Sequence, residues 1–89
     1  MKLEEIRLQI NNIDKEMAKL FEERMNCVKN VALYKKEHNL PILDASREQK
    51  VIENNVLFIN DDSVKKYYES YIKMVMNISK EYQRDLLDK

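Results

Sequence analysis

The sequence contains no glycine and no tryptophan, and it has one proline (Pro41) and one cysteine (Cys27) among 89 residues. Because strands are usually joined by turns that need glycine, the lack of glycine argues against a β-sheet and predicts an all-α fold. A single cysteine cannot form a disulfide within the chain, so we expect a cytoplasmic protein. The length predicts one domain, residues 1–89.

The charges of the chain cancel, since 16 lysines and arginines are matched by 16 aspartates and glutamates. A neutral chain has no net field to attract a nucleic-acid backbone or an anionic membrane, so we expect neither as a partner. No apolar run approaches the length of a membrane-spanning helix, and the first residues do not resemble a secretory signal. Any cationic binding site must therefore be local.

The first predicted helix runs from about Leu3 to Glu37, because no helix breaker interrupts it and Pro41 disfavours helical geometry at the residue before it. A second, short helix begins at Asp44 or at Ser46, where Ser46 and Gln49 match a capping box. We expect it to end between residues 54 and 60.

A third predicted helix starts at Asp62 or Ser63 and continues to about Leu87. Its main apolar positions, here the tyrosine stripe, are Val64, Tyr68, Tyr71, Val75, Ile78 and Tyr82. Its second stripe, here the mixed stripe, changes from apolar to polar and consists of Ile72, Met76, Ser79 and Gln83. Side chains four residues apart on a helix lie on one face, so Ser79 and Gln83 point the same way.

Residues of the first helix repeat in a heptad pattern. This heptad seam consists of Leu3, Ile6, Ile10, Ile13, Met17, Leu20, Arg24, Cys27, Val31 and Tyr34. Arg24 stands where an apolar residue is expected, and a guanidinium near a core needs an anionic partner to offset its desolvation. Cys27 is predicted to be a core residue.

The length of the first helix predicts a dimer. A helix of 35 residues is about 50 Å long, whereas a compact domain of this size is roughly 30 Å across. The overhanging part carries apolar positions of the heptad seam, so a partner chain must cover them. We predict an intertwined homodimer of three-helix protomers whose long helices run antiparallel.

Arg24 and Lys35 lie on nearly the same face of the first helix, and their Cα atoms are about 16 Å apart along its axis. Arg7 is about 25 Å from Arg24 and reaches the same place only from an antiparallel partner. On the second helix, Asp44, Arg47 and Glu48 share one face at the first turn. Three helices can thus present one set of polar side chains to one cavity: Arg24, Lys35, Arg47, Ser79, Gln83 and a borrowed Arg7.

Such a cavity suits a small organic dianion, because arginine grips carboxylates with a planar fork and lysine adds a compact charge. No nucleophile or general base with a partner is evident, and we expect neither a cofactor nor a metal. Any chemistry should therefore need only positioning and electrostatic stabilisation. Taken singly, Arg7 is more often a surface ion pair, and Ser79 with Gln83 could be a solvated face.

These residues resemble the all-helical chorismate mutases over nearly the whole chain. The matching segments are Leu3–Arg7, Ile13–Asp14, Glu23–Met25, Val31–Lys35, Leu40–Asp44, Arg47–Glu48 and the pair Ser79 and Gln83. The resemblance implies an intertwined dimer with two active sites, each completed by the partner. It also implies the rearrangement of chorismate to prephenate in phenylalanine and tyrosine biosynthesis, without a cofactor.

The resemblance assigns roles to single residues. Lys35 and Gln83 would donate to the ether oxygen of chorismate, and Arg24 with the partner's Arg7 would hold its carboxylates. The supporting residues are Arg47 for the carboxylate network, Ser79 for the ring-side carboxylate, and Asp44 and Glu48 for the ring hydroxyl. Because glutamine donates at every pH, we expect a plateau of activity around neutrality.

Two alternatives stay open at this point. An isochorismate–pyruvate lyase is similar in fold and also surrounds a lysine with arginines. A non-catalytic helical dimerisation module would use the charges of the seam only to fix its register. Ligand-dependent stabilisation would distinguish an enzyme from such a module.

Overall fold

The computed structural model describes residues 1–88 and contains three α-helices within them. Helix α1 spans Leu3–Glu37, α2 spans Ala45–Leu57 and α3 spans Lys65–Leu87, with a short 3₁₀ turn at Asp62–Val64 before α3. No strand occurs in this range, so the predicted all-α fold is confirmed. None of these helices combines the length and the apolar character needed to cross a bilayer.

Helix α1 ends where the sequence predicts, because the chain reverses through a Schellman motif. The backbone N–H of Leu40 donates to the carbonyl of Lys35 at 2.8 Å, and that of Asn39 donates to Lys36 at 3.4 Å. Asn39 takes the left-handed conformation, with φ of 54°, which such a motif requires and asparagine tolerates. Pro41 follows and prevents continuation of the helix. The chain therefore turns back toward the last turns of α1.

Helix α2 begins after Asp44, whose carboxylate accepts the backbone N–H of Arg47 at 3.1 Å. Of the two predicted starts, Ser46 with Gln49 is therefore wrong. Ser46 lies inside the first turn and donates its hydroxyl to Asp44 at 3.0 Å, while Gln49 bonds Glu53. Asp44 is the N-cap because its ionised carboxylate accepts two hydrogen bonds, from the Arg47 backbone N–H and the Ser46 hydroxyl. A negative charge is also favoured at the N-terminus of a helix.

Helix α3 packs against both α1 and α2, and it forms the centre of the protomer. The buried residues of α3 are those of the mixed stripe: Ile72, Met76, Ser79 and Gln83. Val28 and Ala32 supply the buried positions of α1. The tyrosine stripe, expected to be the main apolar face, is only partly covered, with Tyr71 and Ile78 exposed. Within a single chain, α1 and α2 cover the mixed stripe more completely than the tyrosine stripe.

Most of α1 extends beyond this small core. The protomer is 54 Å long and only 26 Å and 15 Å in its other dimensions, with a radius of gyration of 16.1 Å. Every residue from Met1 to Arg24 is exposed, including all seam positions of that half. Cys27 is exposed too, so the prediction of a core cysteine is wrong for the single protomer. Four seam residues lie beside α3: Met17, Leu20, Arg24 and Val31. Cover of the exposed seam by a partner chain stays a prediction.

Candidate active site

A polar cleft of about 170 Å³ lies between the last turns of α1, the start of α2 and α3. Its polar lining consists of Arg24, Lys35, Asp44, Arg47, Glu48, Ser79, Lys80 and Gln83. Its apolar lining consists of Val28, Val31, Ile42, Val51 and Met76. Four side chains are cationic and two are acidic, so the cleft holds two excess positive charges in a chain that is neutral overall. This local excess agrees with the sequence, because a chain whose charges cancel can form a cationic site only as a local cluster.

Arg24 joins α1 to α3 by donating a hydrogen bond from its guanidinium to the Ser79 hydroxyl. Ser79 is only 6% exposed and donates its own proton to the carbonyl of Val75 at 2.8 Å. The expectation that Arg24 points into the core is wrong within one chain, since this residue is exposed. On a helical wheel Arg24 lies at the border between the heptad seam and the face that meets α3. It can therefore reach the cleft and still contact solvent.

Lys35 is half-buried, and the reversal after α1 places its ammonium in the cleft. Its Nζ donates to the carbonyl oxygen of Ile42 at 2.7 Å. This bond is local in sequence and depends on the turn made by Asn39 and Pro41. An ammonium has three donors, so Lys35 keeps two N–H groups for a ligand.

Asp44 and Arg47 lie at the rim of the cleft, where α2 begins. The pKa of Asp44 is lowered chiefly by the hydrogen bond from the Arg47 backbone N–H and next by the Ser46 hydroxyl. The charges of Lys35 and Arg47 lower it further. The same carboxylate therefore caps α2 and supplies an anionic acceptor at the mouth of the cleft.

Gln83 is 6% exposed and lines the cleft from α3. Its Oε1 atom is buried and has no hydrogen-bond partner among residues 1–88. An unpaired buried acceptor costs about 1–3 kcal/mol, so a fixed amide in this position is costly for the protein alone. Such groups call for an explanation in ligand binding or ordered water.

Lys80 is the residue that sequence reasoning missed. Its Nζ pairs with Glu48 Oε1 at 2.8 Å, and both side chains are largely buried, at 18% and 27% exposed. Lys80 follows Met76 by four residues and precedes Gln83 by three, so the 3.6-residue period places it beside the mixed stripe. That spacing could have identified it, but an isolated lysine on a charged helix is usually a solvated side chain.

Seven of the eight predicted site residues line the cleft, and Arg7 does not. Arg7 is exposed on the overhanging half of α1, and its contribution to the site of a partner chain stays a prediction. No group of three or more histidine, cysteine or acidic side chains within residues 1–88 is placed to hold a metal ion.

A sequence model of the family described as "Chorismate mutase type II" matches residues 6–84, which include every residue named for the cleft. The chain belongs to the type II chorismate mutase family. This membership confirms the resemblance in the sequence and agrees with the three-helix fold.

Two relatives carry the same family name. A bifunctional chorismate mutase/prephenate dehydratase from Buchnera aphidicola is 34% identical over 84 residues, covering 93% of this chain and 22% of the relative. A secreted chorismate mutase from Yersinia pestis is 36% identical over 75 residues, covering 79% of this chain and 40% of the relative. The chain thus spans less than half the length of either protein. No solved structure matches it.

Proposed function

We propose that this chain catalyses the Claisen rearrangement of chorismate to prephenate, a step toward phenylalanine and tyrosine. The observation that carries the proposal is the meeting of Arg24, Lys35 and Gln83 in one cleft, from two helices and far apart in sequence. Family membership supports the same reaction. We further propose the cytoplasm as its compartment; the support is its single cysteine, which cannot form a disulfide within the chain.

The reaction is intramolecular, so the site has no group to transfer and no bond to make to the substrate. The enolpyruvyl side chain of chorismate must fold over the ring before its new C–C bond can form. Breaking of the ether C–O bond runs ahead of C–C bond formation, so negative charge grows on the ether oxygen. A catalyst therefore has to hold the folded conformer and stabilise that oxygen.

Lys35 and Gln83 are suited to the ether oxygen. Lys35 has two N–H groups left after its bond to Ile42, and its ammonium is half-buried, where charge interactions are less screened. Gln83 offers a neutral amide, which donates at any pH and so predicts a plateau of activity around neutrality. Both interactions strengthen as charge develops, so they lower the barrier more than they tighten substrate binding.

The carboxylates of chorismate are assigned to the guanidinium groups. Arg24 donates to Ser79, whose own proton goes to the Val75 carbonyl, so the remaining N–H groups of the guanidinium are the free donors for one carboxylate. Ser79 would donate to that carboxylate once its hydroxyl turns from Val75 to the ligand. Arg47 at the start of α2 supports the same network. Asp44 and Glu48 are the acceptors available for the ring hydroxyl. No cofactor is needed for any of these roles.

We propose that two chains form an intertwined homodimer and that Arg7 of the partner subunit completes each site. The support is twofold. The first half of α1 exposes its apolar seam along its whole length. The cleft of about 170 Å³ is also small and open beside ordinary ligand pockets of roughly 300–1,000 Å³, so a second chain is needed to enclose the substrate.

Chorismate depletion with identification of the product tests the proposed reaction. The purified chain should convert chorismate to prephenate, and Arg24→Ala should lose this activity. Arg84→Ala is the matched control, because Arg84 is an exposed arginine in the last turn of α3 and does not line the cleft. A parallel incubation with isochorismate tests the lyase of similar fold; release of pyruvate with no prephenate from chorismate would contradict the proposal.

Ligand-dependent stabilisation separates the enzyme from a non-catalytic helical module. A dianionic bicyclic mimic of the transition state should raise the melting temperature of the chain, because it binds only the folded cleft. The Arg24→Ala variant should show a smaller shift with the same compound. A melting temperature that is unaffected by the mimic would favour the module.

A further inference from the structure

The Lys80–Glu48 ion pair differs from the other ion pairs within residues 1–88. Those pairs, Lys65 with Asp62 and Lys73 with Glu69, join residues three or four positions apart on exposed surface. Lys80 and Glu48 instead join α3 to α2 across the wall of the cleft, and both line it. An exposed ion pair contributes little to stability and leaves both side chains free to move. A pair that is mostly buried instead restricts where its carboxylate can lie.

The position of Glu48 matters because the cleft contains other cations. A glutamate free to rotate could pair with Arg24, Arg47 or Lys35 and neutralise a charge that the substrate needs. Lys80 gives the carboxylate a nearer partner, at 2.8 Å on Oε1. An ionised carboxylate has two oxygens, so the second one remains able to accept a hydrogen bond from a ligand.

We infer that Lys80 is a positioning residue that fixes the Glu48 carboxylate to accept the ring hydroxyl of chorismate. The inference rests on the proposed function, since it assigns a role within that same site. Lys80 acts through Glu48 and need not touch the substrate. Its role is to pre-orient one acceptor and to keep that acceptor away from the carboxylate-binding cations.

The kinetic signature follows from the chemistry of the hydroxyl. The ring hydroxyl takes part in no bond that forms or breaks, so a contact to it is equally strong in the ground state and the transition state. Losing such uniform binding raises KM and leaves kcat unchanged. Lys80→Met should therefore raise KM about tenfold, with kcat within about twofold of the unmodified chain.

Two companion variants make the measurement specific. Lys80→Arg keeps a cation within reach of Glu48 and should restore KM to within about threefold. Lys73→Met removes a lysine of an exposed pair on the same helix and should leave both constants unchanged. Thermal melting of each variant separates a kinetic effect from loss of structure. If Lys80→Met does not fold, Lys80→Gln, which keeps a polar tip, is measured in its place.

The decisive comparison uses a substrate analogue, the methyl ether of the ring hydroxyl of chorismate. This analogue cannot donate from its ring oxygen, so Glu48 gains nothing from being oriented. The unmodified chain and Lys80→Met should then show the same KM for the analogue. For the same reason, in a chain that already carries Glu48→Gln, the added Lys80→Met substitution should not raise KM for chorismate any further.

The outcomes separate this inference from the function on which it rests. Absence of prephenate formation by the unmodified chain overturns both. Prephenate formation with an unchanged KM in Lys80→Met overturns the role of Lys80 alone. A tenfold change that persists with the methyl ether, or that appears in kcat instead of KM, likewise overturns it, since the lysine would then act on another part of the substrate.

Discussion

The two halves of α1 carry the same heptad seam but lie in different surroundings. From Leu3 to Leu20 every residue is exposed, although Met17 and Leu20 lie beside tyrosines of α3. From Met25 to Lys35 the helix buries Val28 and Ala32 against α3 and lines the polar cleft.

The comparison shows that α1 has two different faces, one that packs against α3 and one that carries the exposed heptad seam. Val28 and Ala32 belong to a face that is rotated by roughly 100° from the heptad seam, and this face meets α3. The seam stays exposed in the single chain, even at Met17 and Leu20, which lie beside α3. Arg24 lies at the border of the two faces. In the proposed dimer, a substrate bound there would contact both chains.

A charge in the exposed half should have the largest effect. Ile13→Glu places a carboxylate on the seam, where burial against a partner costs several kcal/mol. We expect it to separate the dimer into single chains and to abolish activity, as measured by analytical ultracentrifugation and chorismate depletion. Leu8→Glu is the control, because Leu8 is equally apolar and exposed but lies outside the seam. A seam variant that retains the mass and activity of the unmodified protein would contradict the antiparallel dimer.

Removal of a charge in the other half should affect catalysis without affecting assembly. Lys35→Ala should lower kcat by about 100- to 1,000-fold, because the ammonium stabilises the ether oxygen chiefly in the transition state. The dimer should remain intact. Lys36→Ala is the matched control, since the neighbouring lysine is exposed and does not line the cleft. Near-native turnover in Lys35→Ala would refute its assigned role.

Mixed dimers connect the two halves directly. Arg7→Ala and Lys35→Ala chains should each be nearly inactive alone. Refolded together, half of the dimers are mixed, and each mixed dimer has one site with both residues intact. Activity should therefore recover to about a quarter of that of the unmodified protein. No recovery on mixing would mean that Arg7 acts within its own chain or not at all.

The sequence predicted the helices well because their signals are local. The reversal at Pro41 and the Asp44 cap each act within a few residues, and the end of α1 and the start of α2 follow them. The predicted start of the third helix at Asp62 or Ser63 is wrong, because the chain first forms a 3₁₀ turn at Asp62–Val64 and α3 begins at Lys65. The family residues could be named for the same reason, because their spacing on single helices is fixed.

What could not be predicted depends on which helix faces meet. The mixed stripe is buried and the tyrosine stripe is partly exposed, and this choice is made by packing between α3 and the other helices. Lys80 was missed because its value depends on Glu48, a residue 32 positions earlier in the chain. The seam was identified, but only the folded protomer shows that all of its first-half positions are exposed.

The smallest expected effects come from substituting two aspartates that cap helical turns, one beside the cleft and one away from it. Asp44 caps α2 beside the cleft, and Asp61 caps the 3₁₀ turn away from it. The pKa of Asp61 is lowered by the Ser63 hydroxyl and then by its backbone N–H, much as Arg47 and Ser46 lower that of Asp44. A depressed folded-state pKa contributes stability that is present above the unfolded value of 3.8 and is lost as pH falls through the folded pKa.

Asparagine caps a helix without titrating, so Asp44→Asn and Asp61→Asn should each reduce the loss of stability between about pH 5 and pH 2, as measured by urea unfolding. The two variants should differ only in catalysis. Asp44→Asn should raise KM a few-fold because Asp44 lines the cleft, whereas Asp61→Asn should leave KM unchanged. Equal kinetic effects of the two substitutions would show that Asp44 influences turnover through the stability of its helix and not through the substrate.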